Sequence, residues 1–459
     1  MEIQKRIKHL SGLVAVFIAL LLFKNFGSFE DASWTKLWIL LVMILLASVG
    51  LSLIFNKKQY GLNIARIFSG ILFVFSGFVK AVDPLGSKYK FIDYFEAWGM
   101  DFFNPTALTF GVILGAVELV VGLALLFKVF PKLNTWLALL FMVGFTPITL
   151  YLALQENLTG QELVHDCGCF GDALILTNWQ TFVKNIFILI PVLISFFFRN
   201  KMEDVLTKNK AIKVMAVFVL ASVGLSLYAL QHLPPIDFRP FKVGTKIVCL
   251  DCLGIEDEPE VQVFQYAKFK NLQTGEIQEF DIINNYPDYN VWEYIVEQEI
   301  RVVEVPIEKE EVKAEDEITL LDSISQKNPI HKVSKFYWQL GETDHTCNIL
   351  LDTSYVFLLV AYDINIASID EVDDIKKTQE FAQSKGYEFF LTSASLEEDL
   401  QKFFDKTKLQ IPVLSADDIE QKMHVRATPG LILLKDGVII NKWHHNDIPT
   451  VEEFGEICK

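Results

Sequence analysis

The chain has 459 residues, 51% of them hydrophobic, and a formal net charge of −16. The charge is split: residues 1–230 carry 19 Lys and Arg against 14 Asp and Glu, and residues 231–459 carry 22 against 43. A basic, apolar half joined to an acidic half excludes an ordinary soluble protein, and it argues against nucleic acid as a partner, because phosphates need clustered cations.

A helix needs about 20 mostly apolar residues to cross the hydrocarbon core of a bilayer. Seven segments read as spans: Leu10–Phe26, Lys36–Phe55, Leu62–Lys80, Thr106–Phe127, Leu133–Leu154, Thr181–Phe198 and Ala211–Leu230. The first is the shortest clean run and follows Lys5, Arg6 and Lys8, as a signal peptide would. No small-x-small cleavage site follows it, so it reads as an uncleaved anchor. Lys5, Arg6, Lys8, Lys57, Lys58, Lys128, Lys132, Arg199, Lys201, Lys208, Lys210 and Lys213 flank the spans on one side, against Lys24, Lys36, Lys88 and Lys90 on the other. That bias places the N-terminus in the cytoplasm and residues 231–459 outside, on the periplasmic face of a bacterial inner membrane. Cys167, Cys169, Cys249, Cys252, Cys347 and Cys458 then all lie on the side that permits disulfides.

The spans carry ionisable residues, which are expensive in lipid and face a partner or a cavity. Arg66, Gly70, Ser76, Gly77 and Lys80 share one span, and Glu118 lies within another, near Gly115 and Gly122. Glu118 is expected to pair with Arg66 or Lys80. The pair either orients the bundle or accepts a proton or a quinol hydroxyl. The glycines are expected to allow close helix contact rather than to bind a ligand.

Between the fifth and sixth spans stands His165-Asp166-Cys167-Gly168-Cys169-Phe170-Gly171-Asp172. Two cysteines one residue apart beside a bilayer suit thiol–disulfide chemistry. A small ring closed by such a pair is strained, hence more oxidising, and a protonated His165 would stabilise a thiolate. A plain loop staple, a metal site and free thiols are the alternatives.

Beyond the last span, the prolines of Leu233–Pro240 make a stiff exit. Cys249 and Cys252 form a Cys-x2-Cys pair in an irregular stretch near Gly244 and Gly254. It is open between a thiol relay to Cys167 and Cys169, a local disulfide, and half of a four-cysteine zinc site. Residues 261–305 read as strands with a hairpin tip at Asn271–Gly275, and residues 306–328 as an acid-rich linker or edge.

From residue 349 the pattern alternates: strand Val356–Tyr362, helix Ile369–Ser384, strand Tyr387–Thr392, helix Leu396–Asp405 and strand Ile411–Leu414. A hairpin of Leu431–Lys435 and Val438–Trp443 follows. This is a small α/β domain. It resembles the thioredoxin fold, with Thr428 and Pro429 in the place of the cis-proline loop. The segment Asp363–Ser368, where thioredoxins carry Cys-x-x-Cys, holds no cysteine. The domain is therefore expected to bind or dock rather than exchange electrons. Cys347 and Cys458 flank it and are expected to staple it. His444 and His445 point to opposite faces of a strand and read as surface residues, not metal ligands.

The Arg66–Lys80 helix, the membrane Glu118 and the Cys-Gly-Cys-Phe-Gly loop together resemble the DoxX superfamily, in particular its MauE (methylamine utilisation protein) branch. Most of the chain, with residues 1–60 adding two spans outside the core, resembles the Bacteroidota type fused to a thioredoxin-like end. The organisation expected is two N-terminal spans in 1–60, a four-helix core in 61–200, a cytoplasmic loop and last span in 201–232, a periplasmic β-rich region in 233–345 and a thioredoxin-like domain in 346–459. The resemblance implies formation or maintenance of disulfides in exported proteins. Cys167 and Cys169 would then pass electrons to a quinone held in the bundle, and the thioredoxin-like domain would bind periplasmic clients. No other cofactor and no metal is evident in the sequence. The rival expectation is a non-catalytic membrane scaffold or assembly factor of an envelope complex. A transporter lined by Arg66, Lys80 and Glu118 comes third.

Overall fold

The computed structural model describes residues 8, 10–19, 34–55, 59–160, 163–164, 166–253, 261–282, 287, 291–294, 301–306, 328–333 and 337–459. Two compact units emerge. The first comprises Met1–Val243, Tyr355–Leu433 and Ile440–Lys459; the second comprises Gly244–Ser354 and Leu434–Ile439.

The first unit begins with apolar helices: α1 (Leu10–Ala19), α2 (Trp34–Phe55), α3 (Tyr60–Val82), α5 (Ala107–Phe127), α6 (Pro131–Thr159), α7 (Asn178–Phe197) and α8 (Lys208–Gln231), with α4 (Pro84–Ala97) between α3 and α5. Six of the described helices are long and apolar enough to cross a membrane, and residues 20–26 of the first expected span lie outside the described residues. The exception is α1. At about 1.5 Å per residue its described part reaches only about half of a 30 Å hydrocarbon core. The sequence did not foresee α4, which Asp83 starts by accepting the amide of Gly86 at 2.9 Å, with Pro84 in the first turn.

Local chemistry sets the other ends. Pro131 opens α6 and Gly160, at φ 66°, closes it. A reciprocal pair of hydrogen bonds between Thr177 and Gln180 caps α7. α3 and α5 pack closely because each presents a glycine to the other's backbone. A Cβ at Gly77 would overlap the amide of Leu119, and one at Gly122 would overlap that of Val74. Around this pair lies an apolar core of Leu72, Phe73, Val121, Leu125, Met142 and Ile188.

The α/β part has strands β9 (Tyr355–Val360), β10 (Glu388–Ser393), β11 (Val413–Ser415), β12 (Gly430–Lys435) and β13 (Val438–His444), ordered β13-β12-β9-β10-β11, and all but residues 434–439 of it belong to the first unit. β9 runs parallel to β10, and β10 to β11. Helices α10 (Val372–Lys385), α11 (Glu397–Thr407), α12 (Asp418–His424) and α13 (Val451–Ile457) complete it. All six residues of β9 are buried, as befits a central strand. The Thr428–Pro429 peptide is cis. The strand–helix alternation and the final hairpin fall where the sequence pattern put them.

In the second unit, β1 (Lys246–Cys249) runs parallel to β6 (Ile330–Val333). A separate antiparallel sheet joins β2 (Val261–Asn271) to β3 (Ile277–Asp281), β4 (Trp292–Tyr294) and β5 (Arg301–Pro306). The expected turn at Asn271–Gly275 links β2 to β3, with the Asn271 side chain accepting the amides of Gln273 and Thr274. The short hairpin β7 (Gln339–Leu340) and β8 (Thr343–Asp344) precedes helix α9 (Thr346–Leu350). The acid-rich segment is outside the described residues except for Pro306 and Asn328 at its two ends.

Candidate functional site

Cys167 and Cys169 form a disulfide. Three structures hold its loop. From α3, Lys80 Nζ and Ser76 Oγ both lie 2.6 Å from the Cys169 carbonyl oxygen. The same two groups meet Glu118 Oε2 from α5, Lys80 at 2.9 Å and Ser76 at 2.7 Å. Glu118 therefore pairs with Lys80 rather than Arg66. Arg66 donates instead to the carbonyls of Leu125 and Leu126, near the end of α5. From α4, Lys90 bridges to Asp166 at 2.7 Å, and Asp166 accepts the Gly168 amide at 2.7 Å. Burial is the largest influence on Lys90 and would lower its pKa, but Asp166, Asp93 and Asp172 together outweigh it and the ammonium sits above its ordinary range. Tyr94 donates to the Cys167 carbonyl at 3.5 Å, and burial first, then Asp166 and Asp93, holds its phenol above the usual range.

The third hold comes from the α/β part. Arg426 Nη2 donates to Asp172 at 2.9 Å, and Nε lies 3.0 Å from a carboxylate oxygen of Asp83. His165 lies outside the described residues.

Beneath the loop is a cavity of about 290 Å³. The disulfide forms part of its wall, with Ser76, Lys80, Lys90, Glu118 and Lys184 among its polar lining and an apolar remainder rich in aromatic rings, including Phe91, Phe95, Phe141 and Phe145. Lys184 is 2% exposed. Among the described residues its ammonium makes no hydrogen bond or ion pair, and it lies 4.4 Å from the ring centroid of Phe170. Such a site offers a flat ligand apolar walls and, beside the ion-paired Lys80 and Lys90, the ammonium of Lys184. Lys184 escaped the sequence reading, although it is an ionisable residue inside a span, the same signal that picked out Glu118. Tyr94 and Lys90 gave no signal because α4 was not foreseen.

The other cysteines depart from expectation. Cys252 is bonded to Cys347, not to Cys249, and Cys347 is not bonded to Cys458. β1 turns Cys249 into the core, where it is 5% exposed, whereas the 3-10 turn Asp251–Leu253 presents Cys252 to α9. Burial first, then the charge of Asp251, pushes the Cys249 thiol up, against hydrogen bonds from the backbone of Cys252 and Asp251. With Cys167, Cys169 and Cys252 in disulfides, the four-cysteine zinc alternative is left with a single thiol, that of Cys249. His444 also departs: it is buried, because the chain turns after β13 and brings the His445 ring to 3.9 Å from it.

No solved structure matches the chain. It is 29% identical over 178 residues to Protein TlpB of Flavobacterium psychrophilum, an alignment covering 38% of this chain. The chain spans about half the length of that curated relative, 46%. Residues 58–198, which contain every residue lining the cavity, match the family model described as methylamine utilisation protein MauE, so that segment of the membrane part is MauE-like.

Proposed function

We propose that the protein is a membrane thiol–disulfide oxidoreductase of an inner membrane, acting on exported proteins, with the cysteine loop on the periplasmic side and the N-terminus in the cytoplasm. In this reading it is a DoxX-type core fused to a thioredoxin-like domain. The observation that carries the proposal is the Cys167–Cys169 disulfide standing in the wall of a cavity that also holds Lys184. A client thiolate attacks one sulfur and forms a mixed disulfide. A second client thiol displaces it, so the client gains a disulfide and Cys167 and Cys169 take up two electrons and two protons. A quinone, when bound, supplies the acceptor for both. The cavity fits such a group in size and aromatic lining, and Lys184 Nζ is the donor that would hold its oxygen. Lys80 and Ser76 keep the Cys169 backbone fixed while the sulfurs exchange.

The test is the in-cell redox state of Cys167 and Cys169 after acid quench and alkylation, with and without depletion of respiratory quinone. The pair is expected to be oxidised normally and reduced on depletion. A pair oxidised under both conditions removes the quinone-coupled cycle. A scaffold is the second reading, favoured by the absence of cysteine from Asp363–Ser368. It predicts that function survives replacement of both Cys167 and Cys169.

A further inference from the structure

We infer that the α/β part of the first unit is an intramolecular clamp on the Cys167–Cys169 loop, with Arg426 as the positioning residue, and that α4 covers the face this domain would otherwise offer a client. The clamp goes beyond the redox role and stands on its own geometry.

Arg426 directly precedes Ala427 and the cis Thr428–Pro429 peptide. Its side chain is 5% exposed, so its charge must be met within the protein. It is met on both sides. Asp83, the cap of α4, lies 3.0–3.1 Å from Nε through its two oxygens. Asp172, three residues after Cys169, accepts from Nη2 at 2.9 Å. Nη1 is anchored within its own domain on the Lys422 carbonyl at 2.5 Å, and the Tyr89 ring of α4 lies 5.4 Å from the guanidinium. The planar fork of arginine holds two carboxylates and a carbonyl from three separate nitrogens, a spread that the single ammonium nitrogen of lysine does not reproduce. Without it, two half-buried carboxylates would face each other.

The rest of the face is occupied as well. Tyr362, which follows β9 where the sequence suggested a lost active site, meets the Tyr89 hydroxyl at 3.1 Å. Lys422 Nζ lies 5.2 Å from the Tyr89 ring centroid and 5.5 Å from that of Tyr362. A second set of contacts fixes the same domain to the segment after α8. Lys442 reaches Asp237 at 2.6 Å, and Arg239 reaches the Met423 carbonyl at 3.3 Å. Asp447 meets His232 at 2.7 Å, and Asn446 donates to the Gln231 carbonyl at 2.8 Å. A domain tethered at both edges, with its cis-proline face covered, holds the loop that bears Asp172.

The experiment uses the full-length protein in lipid nanodiscs. The rate of reduction of Cys167–Cys169 by dithiothreitol, and its equilibrium with glutathione redox buffers, are compared in the parent, Arg426→Met, Arg426→Lys and Asp172→Asn. Arg426→Met and Asp172→Asn are expected to speed reduction of this disulfide by about tenfold or more, the scale of one charge-assisted hydrogen bond, with Arg426→Lys recovering part of it. Reduction of Cys252–Cys347 should stay at the parental rate. Unchanged reduction in both variants overturns the clamp, and so does an equal acceleration at Cys252–Cys347, which marks general loosening. The redox role is tested separately by Cys167→Ser. Its failure, with loop reactivity still set by Arg426, leaves the clamp standing.

Discussion

The two disulfides sit at opposite extremes. Cys252–Cys347 closes a separation of 95 residues in the second unit, and Cys167–Cys169 closes a separation of two. A cross-link removes conformational freedom from the unfolded chain in proportion to the logarithm of the loop it closes, so the long one contributes about 4–5 kcal/mol and the short one about 1–2 kcal/mol. The long bond is built to stabilise. The short one adds little stability, yet it has Lys80, Ser76, Tyr94 and the Lys90–Asp166 pair around its loop and a cavity beneath it. Polar groups gathered around a bond of small structural value are what the proposed redox role requires.

The comparison is broken most directly at the long bond. Replacing both Cys252 and Cys347 with Ser is expected to destabilise the second unit by about 4–5 kcal/mol, read by denaturant unfolding under oxidising conditions. A loss below about 1 kcal/mol would remove the staple role and with it the contrast.

Next in size is the ion pair under the short bond. Lys80→Met leaves Glu118 charged and buried with only the Ser76 hydroxyl on Oε2, which costs about 3–5 kcal/mol. Lys80→Met combined with Glu118→Leu is expected to recover most of that, since the desolvation cost disappears with the second charge. Thermal unfolding in detergent checks both. A single variant as stable as the parent would mean that water reaches the pair.

Much of this architecture was legible in the sequence. Apolar run length marked the six long spans, and strand–helix alternation marked the α/β part, because burial leaves a one-dimensional trace in hydropathy. Glu118 was legible as a costly residue needing a partner. Its choice of Lys80 was not, because the choice depends on where Gly77 and Gly122 let α3 and α5 approach. The disulfide pattern failed for the same reason. A local disulfide was one of the alternatives open for Cys249 and Cys252, but the strand end and the 3-10 turn send the two side chains to different neighbours. Arg426 was invisible, since its carboxylates stand 343 and 254 residues away in sequence.

A smaller effect sharpens the contrast from the other side. Replacing Cys167 and Cys169 together with Ser is expected to cost no more than about 1–2 kcal/mol while abolishing client oxidation, scored by alkylation of exported thiols. A loss as large as that of the long bond, with oxidation intact, would exchange the roles of the two disulfides.

The smallest expected effect is in the α/β part, away from both bonds. His444 is buried, and its Nδ1 accepts the amide of Asn446 at 3.2 Å, which requires the neutral ring. Burial first, then His445, lowers its pKa from 6.5 to about 4, against a smaller opposing pull from Asp447. The folded pKa is below the unfolded one, so His444 is neutral in both states above about pH 6.5 and its contribution is whole there. As the pH falls from 6.5 towards 4, the unfolded chain takes the proton first, and stability is lost across that window. Solvent screening reduces the loss to the order of 1 kcal/mol. Carboxylates titrate in the same range, so the informative quantity is the difference between the parent and His444→Gln. The amide oxygen of Gln can still accept from Asn446 but cannot gain a proton. The parent should lose more stability than the variant between pH 6.5 and 4, and parallel curves would show that His444 is protonated in the fold as readily as in the unfolded chain.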